Sequence, residues 1–184
     1  IKTGMLFNAE IIHTVAEFVS KSPQTHLVVD PVMVATSGAV LLQQDAVDAL
    51  QEELMPLASL ITPNLDEADV LLGHRPQCTD DMCEAALELA RRFKTAVLLK
   101  GGHLETDSSL LDVLAHADGT TQSFENARVR EIHTYGSGCT LASAIAARLA
   151  LGETIETAIQ EALNYLQNGM RQPVYVHGTP FIRH

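Results

Sequence analysis

The segment Tyr135-Gly136-Ser137-Gly138-Cys139-Thr140 stands directly before a strongly apolar stretch that reads as a helix. Gly136 and Gly138 carry no Cβ, so the backbone there can bend sharply and approach a ligand closely. Successive N–H groups at a helix opening, reinforced by the positive end of the dipole, make a pocket for an oxyanion or a phosphoryl group in flight. Ser137 adds a hydroxyl donor. Cys139 falls at the helix start, where the dipole favours a thiolate. Such a group beside an anion pocket can accept the proton of an attacking hydroxyl, help worth roughly 10²–10⁴-fold in rate. Phosphoryl transfer itself depends more on positioning and charge neutralisation. Taken alone, the same residues also describe a tight turn and a small buried residue at a helix start.

Three further groups have types suited to the same chemistry. Asp30-Pro31-Val32 follows an apolar run directly, and an Asp so placed can orient a metal-bound water or the magnesium of a nucleotide. It is equally a common turn residue before proline. In Thr62-Pro63-Asn64-Leu65-Asp66-Glu67, Asn64 and Glu67 have the spacing of a capping box. They can cap a helix, reach forward to magnesium or its waters, or do both. Lys100-Gly101-Gly102-His103 puts a cation beside two glycines, as a residue held over phosphates would be; an ordinary solvated Lys at a strand exit has the same appearance. The other histidines are scattered, without the spacing of a metal-ligating pair.

The elements that must position these groups alternate in type. Residues 26–30 (HLVVD), 59–62 (SLIT) and 96–100 (AVLLK) are short apolar runs ended by polar or turn residues, and read as buried parallel strands. Between them, Ile11, Ile12, Val15 and Phe18 recur at helical spacing. Asp45 is expected to cap a second helix. Asn64 opens a third that stops at Gly73, and Thr79 opens a fourth with Asp80 and Asp81 in its first turn. Residues 110–114 and 122–129 around Asp118-Gly119 predict a hairpin. Helices follow over 140–151, ended by Gly152, and over 155–170. This order predicts one α/β domain over residues 1–184, with a mostly parallel sheet and helices on both faces. Asp30, Thr62 to Asn64 and Lys100 to His103 then converge at the carboxyl ends of the strands, where open α/β sheets bind ligands.

Composition narrows the partners. The chain has 184 residues, 46% of them apolar, and a net charge of −11 with no basic cluster. Such a surface repels nucleic acid and anionic lipid. No apolar run approaches the roughly 18 residues needed to span a bilayer, and the sequence as it stands opens with no charged-then-apolar leader, so export is not expected. The three cysteines lack zinc-type spacing. A cytoplasmic protein with reduced thiols is the expectation.

Together, Ile1 to Leu6 (IKTGML), Val29-Asp30-Pro31-Val32-Met33, Thr62 to Ala68 (TPNLDEA), Val97 to His103 and Gly136 to Thr140 resemble the ribokinase-like superfamily. More narrowly, they resemble its hydroxymethylpyrimidine/phosphomethylpyrimidine kinases. The resemblance implies a ribokinase-like α/β/α sandwich, commonly homodimeric, that moves the γ-phosphoryl of ATP to a pyrimidine hydroxymethyl group and then adds a second phosphoryl. It implies that Gly136, Ser137 and Gly138 form the anion hole and that Cys139 activates the substrate. Lys100, Asn64 and Thr140 would serve ATP, Glu67 and Asp30 magnesium, and Met5 and Val32 the pyrimidine. Two departures stand out. The familiar Thr-His-Gly-Thr-Gly-Cys loop is here Thr134-Tyr135-Gly136-Ser137-Gly138-Cys139, which keeps the hydroxyl but changes contacts near the nucleotide. The first strands and Gly-Ser-Asp segment of the family are also absent, so this polypeptide alone is expected to be inactive or marginally folded. Two alternatives remain: a pyridoxal kinase with the same cysteine loop, and a non-catalytic nucleotide-binding scaffold. The joint presence of Asp30, Asn64, Glu67, Lys100 and Cys139 argues against the scaffold.

Overall fold

The computed structural model describes residues 1–22, 25–34, 41–102, 109–129 and 136–184. A two-residue strand, β1 (Lys2–Thr3), leads into α1 (Ala9–Ser20), whose N-terminus is capped by Asn8 Oδ1 accepting the Ile11 N–H. Then come β2 (Val28–Val29) and α2 (Gln44–Ala49), the latter continuing through a π-turn (Leu50–Leu54) and a 3₁₀ turn (Met55–Leu57). The remaining elements are β3 (Leu60–Ile61), α3 (Leu65–Leu72), α4 (Thr79–Phe93), β4 (Ala96–Lys100), β5 (Ser109–Ala115), β6 (Thr121–Ala127), α5 (Ser137–Ala150) and α6 (Ile155–Arg171). A hairpin of β7 (Val174–Val176) and β8 (Thr179–Phe181) follows.

The main sheet has the order β1-β2-β3-β4-β5-β6, parallel from β1 to β4 and antiparallel thereafter. Because strand residues alternate between faces, Val29, Ile61, Val97 and Leu99 pack with α1 to α4. Val28, Leu60, Ala96 and Leu98 pack with α5 and α6. Two apolar cores, one on each face of the sheet, give the expected α/β/α layering.

Several boundaries differ from those predicted, each for a local reason. The buried row of α1 is Ile12, Ala16 and Val19, while Ile11 and Phe18 lie on the exposed side. A helix buries residues three and four apart, and Phe18 is one position off that row. Gln43, not Asp45, holds the N-cap position of α2; the Asp45 carboxylate accepts the Ala46 N–H inside the first turn. The Cys78 thiol accepts the Asp81 N–H as the N-cap of α4, with Thr79 the first helical residue. The α5 helix begins at Ser137, three residues before the predicted start, because Gly136 adopts φ 82° and turns the chain directly into it. The β7–β8 hairpin, turning through His177 and Gly178 at positive φ, was not anticipated.

Gly101, one of the two glycines beside Lys100, is required by packing. A Cβ there would lie 2.0 Å from the Leu111 carbonyl oxygen and 2.8 Å from the Met82 methyl carbon. Close approach of the chain end of β4 to β5 and α4 therefore excludes any side chain.

Candidate active site

The four parallel strands deliver their carboxyl ends to one edge of the sheet. Lys2 is in register with Val28, Val28 with Leu60, and Leu60 with Ala96; Lys100 is in register with Asp112. Alternation then places Lys2, Lys100 and Asp112 on the face covered by α5 and α6, and their contacts bring Asp30 and Thr62 to the same face. Asp30, only 3% exposed, is the hub. Its Oδ1 lies 3.1 Å from Lys100 Nζ and accepts the Thr62 hydroxyl at 3.3 Å, while Oδ2 lies 3.3 Å from Lys2 Nζ.

Burial opposes ionisation of Asp30, but Lys100 and Lys2 outweigh it and hold the carboxyl below the usual carboxylate range. Burial likewise opposes the Lys100 ammonium. The carboxylates of Asp30, Glu67 and Asp112 reverse that effect and hold its pKa above the ordinary lysine value. Lys100 is thus a permanent cation at the end of β4.

Glu67 and Asn64 carry out the capping part of their expected role. Asn64 Oδ1 accepts the N–H groups of Asp66 and Glu67, and Glu67 Oε2 accepts the Asn64 N–H at 2.8 Å. The Pro63 carbonyl accepts the Lys100 N–H at 2.8 Å, which ties this cap to the end of β4. Burial pushes the Glu67 carboxyl up to about 7, against the pull of Lys100 and the Asn64 N–H.

Asp112 belongs to this cluster without having been singled out by type or spacing. It is 7% exposed and accepts the Gly101 N–H at 2.9 Å. Burial raises its carboxyl to about 6. The folded state therefore favours the neutral acid, so Asp112 contributes stability at low pH that is lost as pH rises through about 6. Asp112→Asn keeps an acceptor for Gly101. It is expected to flatten the fall in stability between about pH 4 and pH 6 and to be more stable than the unaltered chain at neutral pH. Urea unfolding at pH 4.5 and pH 7 checks this; an unchanged pH slope would contradict it.

Lys100 also meets the glycine segment. A Cβ on Gly138 would lie 3.3 Å from Lys100 Nζ, so the ammonium stands against the first turn of α5 where a side chain would otherwise crowd it. No side chain caps α5, which leaves its opening N–H groups and a fixed cation facing one space. Uncapped N–H groups, a left-handed Gly136 and an adjacent ammonium suit a phosphate in charge and in geometry. Cys139 is exposed as the third residue of α5. With Thr140, Ser143, Arg148, Tyr165 and His184 it lines a cavity of about 530 Å³ between α5, α6 and the chain end.

Met5 and Val32 follow β1 and β2 at the same edge, Met5 49% exposed and Val32 half-buried. The Asp30 carbonyl accepts the Val32 N–H at 2.9 Å, which fixes the turn after β2. Tyr135 and His103 lie outside the described residues. Lys2 and Asp112 are the members that sequence reasoning missed. For Asp112 a signal existed: a lone acid in the otherwise apolar run 110–115, in phase with Leu114. For Lys2 there was none beyond its nearness to a strand end.

The family described as phosphomethylpyrimidine kinase matches residues 1–180 of this sequence. The chain belongs to the phosphomethylpyrimidine kinase family. It is 40% identical, over 95% of its own length, to the hydroxymethylpyrimidine/phosphomethylpyrimidine kinase of Haemophilus influenzae, and it spans 66% of that relative. Among solved structures it resembles a Bacillus subtilis pyridoxal kinase in complex with ADP, with a TM-score of 0.89 and 32% identity over 100% of this chain and 69% of that one. It also resembles a phosphomethylpyrimidine kinase from Clostridium difficile, with a TM-score of 0.78 and 36% identity over 91% and 67% of the two chains. The ribokinase-like fold expected from the sequence is therefore the fold of this family.

Proposed function

We propose that the protein phosphorylates hydroxymethylpyrimidine, and then its monophosphate, with ATP as donor. The observation that carries this reading is the Lys100 ammonium set against the uncapped, glycine-opened N-terminus of α5. Phosphoryl transfer needs little covalent help from a protein; it needs the phosphates held still and their developing charge neutralised. Lys100 supplies full charge, and Gly136, Ser137 and Gly138 supply N–H groups for the phosphoryl in transit, with Asn64 and Thr140 at its borders. Cys139, beside those N–H groups, is the group suited to take the proton of the substrate hydroxymethyl.

Magnesium is part of the same reading. Both oxygens of Asp30 already meet ammonium groups, and Glu67 holds the start of α3. These acids suit a cation held chiefly by nucleotide phosphates and its own waters, with Glu67 and Asp30 behind the waters. When bound, the metal neutralises phosphate charge. Met5 and Val32 are proposed to flank the pyrimidine. A homodimeric state and a cytoplasmic location complete the reading.

Pyridoxal kinase activity is the second reading, supported by the likeness to the Bacillus subtilis pyridoxal kinase. The scaffold reading is separated from both by transfer itself. The test is transfer from ATP to hydroxymethylpyrimidine and to pyridoxal, in a fusion that adds to this chain the part of the Haemophilus influenzae relative lying outside the 66% it spans. Faster phosphorylation of the pyrimidine is expected. Faster phosphorylation of pyridoxal would replace the first reading with the second, and magnesium-dependent ATP binding without transfer would favour the scaffold.

A further inference from the structure

Lys2 sits at the edge of the sheet, where lysine often serves only to blunt strand pairing by pointing into solvent. Here it does not. Its side chain is 16% exposed and runs along the α5 face, over Gly4, to Asp30 Oδ2 at 3.3 Å. Register with Val28 and the bond from the Val28 N–H to the Ile1 carbonyl fix its backbone.

Asp30 is thus a buried carboxylate with one oxygen for each of two ammonium groups. A buried carboxylate stripped of its counter-charge is strongly disfavoured. With Lys100 as the sole partner, any turn of Lys100 toward an anion at α5 would strand Asp30, and the pair would resist opening. A second cation on the other oxygen removes that penalty.

We infer that Lys2 is a positioning residue: it keeps Asp30 paired, so that Lys100 is free to serve an anion at the N-terminus of α5. The inference rests on the phosphate-site reading given above.

Calorimetric binding of ADP with magnesium chloride to this chain tests it, with thermal unfolding recorded for every variant. Lys2→Met is expected to weaken ADP binding about tenfold, and Lys2→Arg to bind within about twofold of the unaltered chain, effects in the range of coupled neighbours. In an Asp30→Asn background, where a neutral amide no longer holds Lys100, Lys2→Met is expected to change nothing. Loss of the same size with and without Asp30 would overturn the inference, as would no loss, or no recovery with arginine. Should Lys2→Met fail to fold, the pair Asp30→Asn and Asp30→Asn/Lys2→Met decides: equal affinities support the coupling and unequal ones overturn it. If Lys100→Met weakens ADP binding and Lys2→Met does not, only the role of Lys2 falls. If the unaltered chain binds no ADP, or binds it regardless of Lys100→Met, the phosphate site falls and this inference with it.

Discussion

Cys139→Ala is expected to slow phosphoryl transfer by about 10²–10⁴-fold while leaving nucleotide affinity within about twofold, the split that a lost general base produces. The thiol stands at the third position of α5, beside the N–H groups proposed to hold the phosphoryl, and is exposed where it can meet a substrate hydroxyl. Those N–H groups belong to the backbone and survive the substitution, so binding is retained. Cys139 supports no buried packing, so unfolding temperature is expected to stay put. Rates and affinities measured together in the fusion give the split. An unchanged rate would reduce Cys139 to a residue that merely begins a helix, and equal losses in rate and affinity would make it a binding group.

The second large effect is that of Lys100→Met, which is expected to weaken ADP binding about 100-fold, consistent with loss of a charge-assisted contact in a low-dielectric site. Unlike Cys139, this residue is also structural. Its removal takes a counter-charge from Asp30, Glu67 and Asp112 at once. Lys2 still pairs with Asp30, so the cost is expected to be about 2 kcal/mol rather than the 3–5 of a stranded buried charge. Without Lys100, the carboxyls of Glu67 and Asp112 move further upward. Acids that are raised by folding give stability at low pH and lose it as pH rises through their folded values. The variant is therefore expected to be closest to the unaltered chain at acid pH and to fall behind it as pH climbs past neutrality. Urea unfolding from pH 5 to pH 8 checks the stability, and calorimetry checks the affinity. Undiminished ADP binding would remove Lys100 from the phosphate site.

Much of this architecture was legible because local and global signals agree. The apolar run 96–100 coincides with β4, and the capping box from Asn64 to Glu67 and the stop at Gly73 follow from residues that act within their own turn. The convergence of Asp30, Thr62 to Asn64 and Lys100 was also legible, since parallel strands must end at one edge. Less legible was whatever depends on pairing across the sheet. Lys2 acquires its partner only through a register with Val28, and Gly101 is excluded from carrying a Cβ by a carbonyl ten residues away. Asp112 meets the Gly101 N–H and Lys100 only through the pairing of β5 with β4. Phe18 shows the converse: helical spacing was right, but the face was set one residue over by what α1 packs against.

The most direct test of the phosphate site uses a control built into the chain. Cys139 and Cys78 are both exposed, one at the proposed site and the other at the start of α4, and Cys83 is half-buried. Iodoacetamide labelling of each cysteine, followed by peptide mapping with and without ADP and magnesium, reads occupancy at α5 without requiring turnover. ADP is predicted to slow labelling of Cys139 about tenfold or more, as a tightly held ligand covering the thiol would, while leaving Cys78 unchanged. Equal labelling of Cys139 with and without saturating ADP would contradict a nucleotide phosphate site at the N-terminus of α5.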